Sequence, residues 1–145
     1  MNALHTATGS DLTVTQLYGL LTLRVNVFVV EQGCPYPELD GHDLRADTTH
    51  LWWQPASATA PLAYLRVLGG EVQRIGRVCT AASARNAGLS GRLMAAALDR
   101  IGAAESVLDA QLTVQTMYAR FGYVAEGEPF VEDGIPHIRM RRGTP

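Results

Sequence analysis

The stretch Arg85–Ile101, RNAGLSGRLMAAALDRI, sets a glycine-bearing turn directly before an amphipathic helix. From Leu89 onward, Leu93, Met94, Ala97, Leu98 and Ile101 recur at helical spacing, with Arg92, Asp99 and Arg100 largely outside that face. Gly102 stops the helix. Ahead of the turn, VQRIGRVCT (72–80) reads as a strand. A strand that turns tightly into a helix leaves backbone N–H groups pointing out of the helix start. With the helix dipole they form an anion site that needs no charged side chain. Gly88 suits close approach of a phosphate to the backbone, Ser90 and Gly91 keep the turn uncrowded, and Arg85 adds a charge-assisted contact at the rim. A P-loop is excluded because the chain has no lysine, and AGLSGRL lacks the G-x-G-x-x-G of a dinucleotide turn. The residues by themselves leave two readings, a phosphate cradle or a loop that merely precedes a helix.

Outward from this turn, HLWWQ (50–54) and PLAYLRVL (61–68) read as neighbouring strands, and SVLDAQL (106–112) as another. VQTMYARFG gives a short helix ended by Gly122, and YVAEGEPFV with IPHIRM a closing pair of strands around EDG. GCPYPELDGHD (33–43) is a loop, since its prolines fix φ and its glycines permit tight turns. Toward the N-terminus, Ser10–Asp11–Leu12 marks a helix start. The segment LTLRVNVFV (21–29) satisfies both helical spacing and strand alternation, so pattern leaves it open. The mixed order of helices and strands predicts an α/β, mixed α+β fold.

The chain of 145 residues is expected to form a single domain over 1–145. Hydrophobic residues make up 47% and charged residues 18%, which suits a folded globular protein. A net charge of -2 gives no electrostatic case for nucleic acid. All 12 basic residues are arginine, which rules out a lysine nucleophile or Schiff base. Cys34 and Cys79 lack metal or disulfide spacing and read as small packing residues in a reduced, cytoplasmic setting. No apolar run approaches the ~18 residues of a membrane span, so no membrane association is expected. ELDGHD does not follow calcium-loop spacing, and no metal is expected.

Arg85–Ser90 meets R/Q-x-x-G-x-G/A except at its last position. It resembles the pyrophosphate loop of the GNAT superfamily of acyl-CoA-dependent N-acyltransferases. MYARFGY (117–123) is similar to the segment that follows the fifth strand in these enzymes. VFVVEQGCPYPELDGHD (27–43) and VEDGIPHIRM (131–140) resemble the ElaA-type branch. The resemblance runs from about residue 12 to residue 142 and implies a helix before FVVEQ, which settles the open segment.

It further implies a central mixed, mostly antiparallel sheet flanked by helices, with splayed central strands forming the acyl-CoA site. Acetyl-CoA is the implied co-substrate, and an amine attacks its thioester directly in a ternary complex. The backbone of Val78, Cys79 and Thr80 would meet the pantetheine arm, with Gln111 beside it. Asn86, Ala87, Gly88, Leu89, Ser90 and Gly91 would hold the pyrophosphate with Arg85. Tyr118 occupies the position of the general acid. A free thiol ionises near 8.5 and a phenol near 10, so the tyrosine stabilises developing charge on sulfur before giving up its proton. Where many such enzymes carry a glutamate on the strand before the loop, this chain has Arg74 and Arg77. Glu31 and His137 are the substitutes for that base, or water carries the proton away, and both residues are candidate substrate contacts. Arg74 and Arg77 would attract a carboxylate, while Glu31, Asp40 and Asp43 would attract an amine. Small amines, amino acids and protein amines therefore all stay open as acceptors, and so does the choice of monomer or homodimer. A non-catalytic acyl-CoA-binding module is the rival reading.

Overall fold

The computed structural model describes residues 3–143. Seven strands form one sheet: β1 Leu4–Thr8, β2 Thr48–Trp53, β3 Ala63–Leu68, β4 Gln73–Thr80, β5 Ser106–Gln111, β6 Val124–Glu132 and β7 Ile135–Arg142. Their spatial order is β1-β2-β3-β4-β5-β7-β6, antiparallel except between β4 and β5. Three helices accompany it: α1 Val14–Arg24, α2 Leu89–Ile101 and α3 Gln115–Ala119. The expected mixed α/β architecture is what the chain adopts.

α2 packs on one face of the sheet. Its stripe of Leu89, Leu93, Met94 and Ala97 joins Leu51, Leu65, Ile75 and Leu108 in the larger core. Truncating Leu93 to alanine there would cost about 2–5 kcal/mol. On the opposite face α1 and the helical segment that follows it set Leu20, Leu23 and Val27 against Trp52, Tyr64 and Cys79. This buried set recurs at three and four residues, which is why LTLRVNVFV is helical despite its alternation. The helix begins at Val14, two residues beyond the expected Ser10–Asp11–Leu12, because Thr13 forms a reciprocal capping box with Gln16. Beyond Arg24 it continues as a wider π-helical segment, Val25–Glu31. β1 has no counterpart in the sequence reading: LHTAT lacks a clear apolar alternation, and its backbone pairing to β2 makes it a strand.

The sheet opens at its middle. β4 and β5 pair only at Gln73 with Ser106 and Arg74 with Val107, then part. On its other edge β4 is bulged against β3 between Tyr64 and Arg66. Arg77 lies in this bulge with φ 53, a left-handed conformation that costs a residue with a side chain about 1–2 kcal/mol. Its side chain is held by Glu38, which offsets that cost.

Candidate active site

The parted strands line a cleft of about 660 Å³ that runs from the start of α2 to the hairpin between β6 and β7. That size suits a small-molecule ligand. At one end, Thr80 closes β4, a short 3-10 turn follows at Ala82–Ala84, and Gly88 turns the chain with φ 73 into α2. No side chain caps this helix start, and the first backbone bond runs from Arg92 N–H to Gly88 O. A Cβ on Gly88 would meet nothing within 4 Å, so the turn is open toward the cleft. Orphan N–H groups and an open turn at a helix dipole fit a pyrophosphate. Thr80 and Ser90 share a hydroxyl hydrogen bond of 2.9 Å, which ties the strand end to the first turn of α2.

Val78, Cys79 and Thr80 on β4 all line the cleft, as does Gln111 at the end of β5. So do Arg85, Asn86, Gly88, Leu89, Ser90 and Gly91. Ala87 does not. The Cys79 side chain packs into the α1-side core, where burial pushes its thiol up to about 12. Cys34 differs from the expected buried packing residue. It is half-buried, lines the cleft, and its Sγ donates to the Asp133 carbonyl at 3.3 Å, joining the 33–43 loop to the β6–β7 turn.

Tyr118 is buried on α3, edge-on to Tyr123, and its hydroxyl has no hydrogen-bond partner among the described residues. Burial drives the phenol well above its ordinary range, so it keeps its proton at neutral pH and has it free to donate. His137 lines the cleft stacked on Phe130. Its Nδ1 lies 2.7 Å from the Ile135 carbonyl. A carbonyl only accepts, so Nδ1 is the donor in this contact, and in the neutral ring Nε2 is the nitrogen with the lone pair. Glu31 lies outside the cleft lining. Both of its oxygens accept from Arg85, at 2.5 and 2.6 Å, and this contact holds the carboxyl below its ordinary range. Arg85 also donates from Nε and Nη2 to the Thr80 carbonyl, which lays the guanidinium across the strand end beside the α2 turn.

The loop at 33–43 corrects a sequence expectation. Asp40 and Asp43 are not free to meet an amine. With Glu38 they bind Arg24, Arg66 and Arg77 in a largely buried cluster of three cations and three carboxylates. Arg24 donates to Glu38 and Asp43, each at 2.7 Å; Arg66 bridges Asp40 and Asp43; Arg77 reaches Glu38 at 2.8 Å. Tyr36 donates to the remaining Glu38 oxygen. Local spacing carried no sign of this cluster, because its members come from α1, the loop, β3 and β4.

The sequence matches the Acetyltransferase (GNAT) domain family over residues 41–143. It is 47% identical to an UPF0039 protein of Mycobacterium tuberculosis over 97% of this chain and 92% of that protein. It is 40% identical to Escherichia coli protein ElaA over 92% of this chain and 91% of ElaA. The chain belongs to the GNAT family, in its ElaA-like branch. Its fold is similar to the crystal structure of an acyl-CoA N-acyltransferase from Pseudomonas aeruginosa, with a TM-score of 0.90, 43% identity, and 97% and 98% of the two chains covered. The crystal structure of E. coli ElaA matches with a TM-score of 0.90, 37% identity, and 98% and 99% coverage. Acyl transfer is thus the family chemistry, and in this GNAT protein the cleft between β4 and β5 is the candidate site for it. Among the described residues no helix is long and apolar enough to cross a membrane.

Proposed function

We propose that this protein transfers the acetyl group of acetyl-CoA to a primary amine in a ternary complex. The observation that carries the reading is the parting of β4 from β5 into a cleft that ends on the uncapped start of α2 and is lined by the Tyr118 side chain. In this reading the N–H groups of the α2 turn hold the pyrophosphate. The unpaired edges of β4 and β5 face the pantetheine. The bound thioester supplies an electrophilic carbonyl and a thiolate leaving group.

The chain's own residues then manage the protons. His137 Nε2 takes a proton from the attacking nitrogen as the C–N bond forms. Tyr118 donates to sulfur as the C–S bond breaks, and solvent returns both side chains to their starting states. A neutral, buried phenol suits this role because its hydrogen bond strengthens only as charge develops. Glu31 is a weaker choice for the base, since its pairing with Arg85 favours the ionised, poorly basic form. Its role in this reading is to hold Arg85 until a phosphate replaces it.

The test is acetyl-CoA thiol release across a panel of amines, with mass spectrometry of the products. Amine-dependent release of one thiol per N-acetyl product is the expected result. Acetyl-CoA binding without turnover on any amine would favour the non-catalytic module, a rival supported by the arginines that stand on β4 in place of a carboxylate.

A further inference from the structure

Three arginines line the half of the cleft away from the α2 turn: Arg66, Arg74 and Arg77. Two of them are committed to the protein. Arg66 donates through both terminal nitrogens to Asp40 and Asp43, and Arg77 places Nε and Nη2 on Glu38. Arg74 is different. Among the described residues its one hydrogen bond is from Nη1 to Asp109 Oδ2, a long 3.3 Å. Asp109 is held better by Arg139, whose Nε reaches it at 2.7 Å. The next carboxylate on this face, Glu126, has both oxygens on Arg141.

Arg74 is therefore oriented by Asp109 through one corner, while its Nε–Nη2 edge is unclaimed. That edge presents two parallel N–H donors, the geometry that grips a carboxylate through both oxygens. Its side chain is 39% exposed, so an approaching acceptor can reach it. Its position on β4 is the last one paired with β5 before the strands part, which puts it at the closed end of the acyl-CoA cleft. The carboxylates of Glu132 and Asp133 also line the cleft, at the turn of the β6–β7 hairpin.

Resting on the acetyltransfer reading above, we propose that the acceptor is an amine that also carries a carboxylate, an amino-acid-type substrate whose carboxylate is gripped by the Nε–Nη2 edge of Arg74. Arg74 is then a specificity-determining residue. It selects and orients the acceptor and takes no part in holding the co-substrate.

The test compares, on the wild-type protein, amino acids of increasing amine-to-carboxylate spacing with the same amines lacking the carboxylate or bearing it as an amide. The carboxylate-bearing acceptors are expected to have kcat/KM higher by about 10–100-fold, the range of a bidentate charge-assisted contact. Arg74→Gln should abolish that preference by raising KM for the carboxylate acceptors alone, with acetyl-CoA Kd unchanged. Arg74→Lys, which keeps the charge without the fork, should retain only part of it. Equal use of both acceptor series, or a preference for diamines and polyamines, overturns the proposal while acetyl transfer stands. Failure to bind acetyl-CoA removes the acetyltransfer reading itself and the proposal with it.

Discussion

The two halves of the cleft are built on different physical principles. The half proposed for the co-substrate is mostly backbone: a strand end, a turn through Gly88 and the uncapped start of α2, supplied by the contiguous residues 78–91. The half proposed for the acceptor is lined by side chains from β3, β4, β5 and the terminal hairpin, and rests on ion pairs that add α1 and the 33–43 loop. A contiguous backbone site depends on local conformation and tolerates change in surface charge. A side-chain site assembled from six segments fails when one buried charge loses its partner. Substitutions in the two halves should therefore separate stability from binding.

The largest effect is expected in the acceptor half. Arg24→Met leaves Glu38 and Asp43 buried with one cation fewer, a loss of about 3–5 kcal/mol in stability that a shift in urea midpoint would measure. In the other half, Gly88→Val should cost about 1–2 kcal/mol through its φ of 73 and weaken acetyl-CoA binding about tenfold by displacing the N–H array. Gly91→Ala is the control. Its φ is not positive, and a Cβ there would meet only the Phe121 ring edge at 4.0 Å, so binding should change less than threefold by the tolerance of an ordinary contact. Equal damage from both glycine substitutions would break the distinction.

A smaller, graded difference should appear with pH. His50 is buried between the Tyr64 hydroxyl at 2.6 Å and the Asp43 carbonyl at 2.8 Å, and burial lowers its pKa from 6.5. An unfolded histidine takes up a proton first, so stability declines as pH falls below 6.5 toward the folded value. Asp40 and Asp43 are held below their ordinary 3.8 by Arg66 and Arg24 respectively, despite their burial. Their contribution is complete above 3.8 and is lost as pH drops through the folded values. A chemical-denaturation series from pH 7 to 3 should thus show a shallow decline and then a steeper one, each proton contributing up to about 1.4 kcal/mol per pH unit. Removing Arg24 should flatten the steeper limb.

This division also explains what could be read in the sequence. The α2 turn and its flanking strand were legible because each signal lies within a few residues of the next. The resemblance of FVVEQ, MYARFGY and EDGIPHI then identified the cleft they belong to. The helical state of 21–29 needed that resemblance, since its alternation is real and only the burial of Leu20, Leu23 and Val27 decides it. β1 stayed hidden because its pairing with β2, rather than its own pattern, makes it a strand. Asp40 and Asp43 look like free charges in the sequence because their arginine partners lie 19 to 37 residues away along the chain. The motif alone marks Glu31 as a catalytic candidate, and its pairing with Arg85 across 54 residues is a tertiary fact. Arg74 looked equivalent to Arg77 in the sequence; only the partners of each guanidinium distinguish them.

The most direct test of the account is single-turnover acetyl transfer by Tyr118→Phe with acetyl-CoA saturating. With binding thereby removed from the comparison, the variant should be slower by about 10²–10⁴-fold, the typical contribution of a positioned proton donor. A rate equal to that of the wild-type protein would contradict Tyr118 as the group that meets the leaving sulfur.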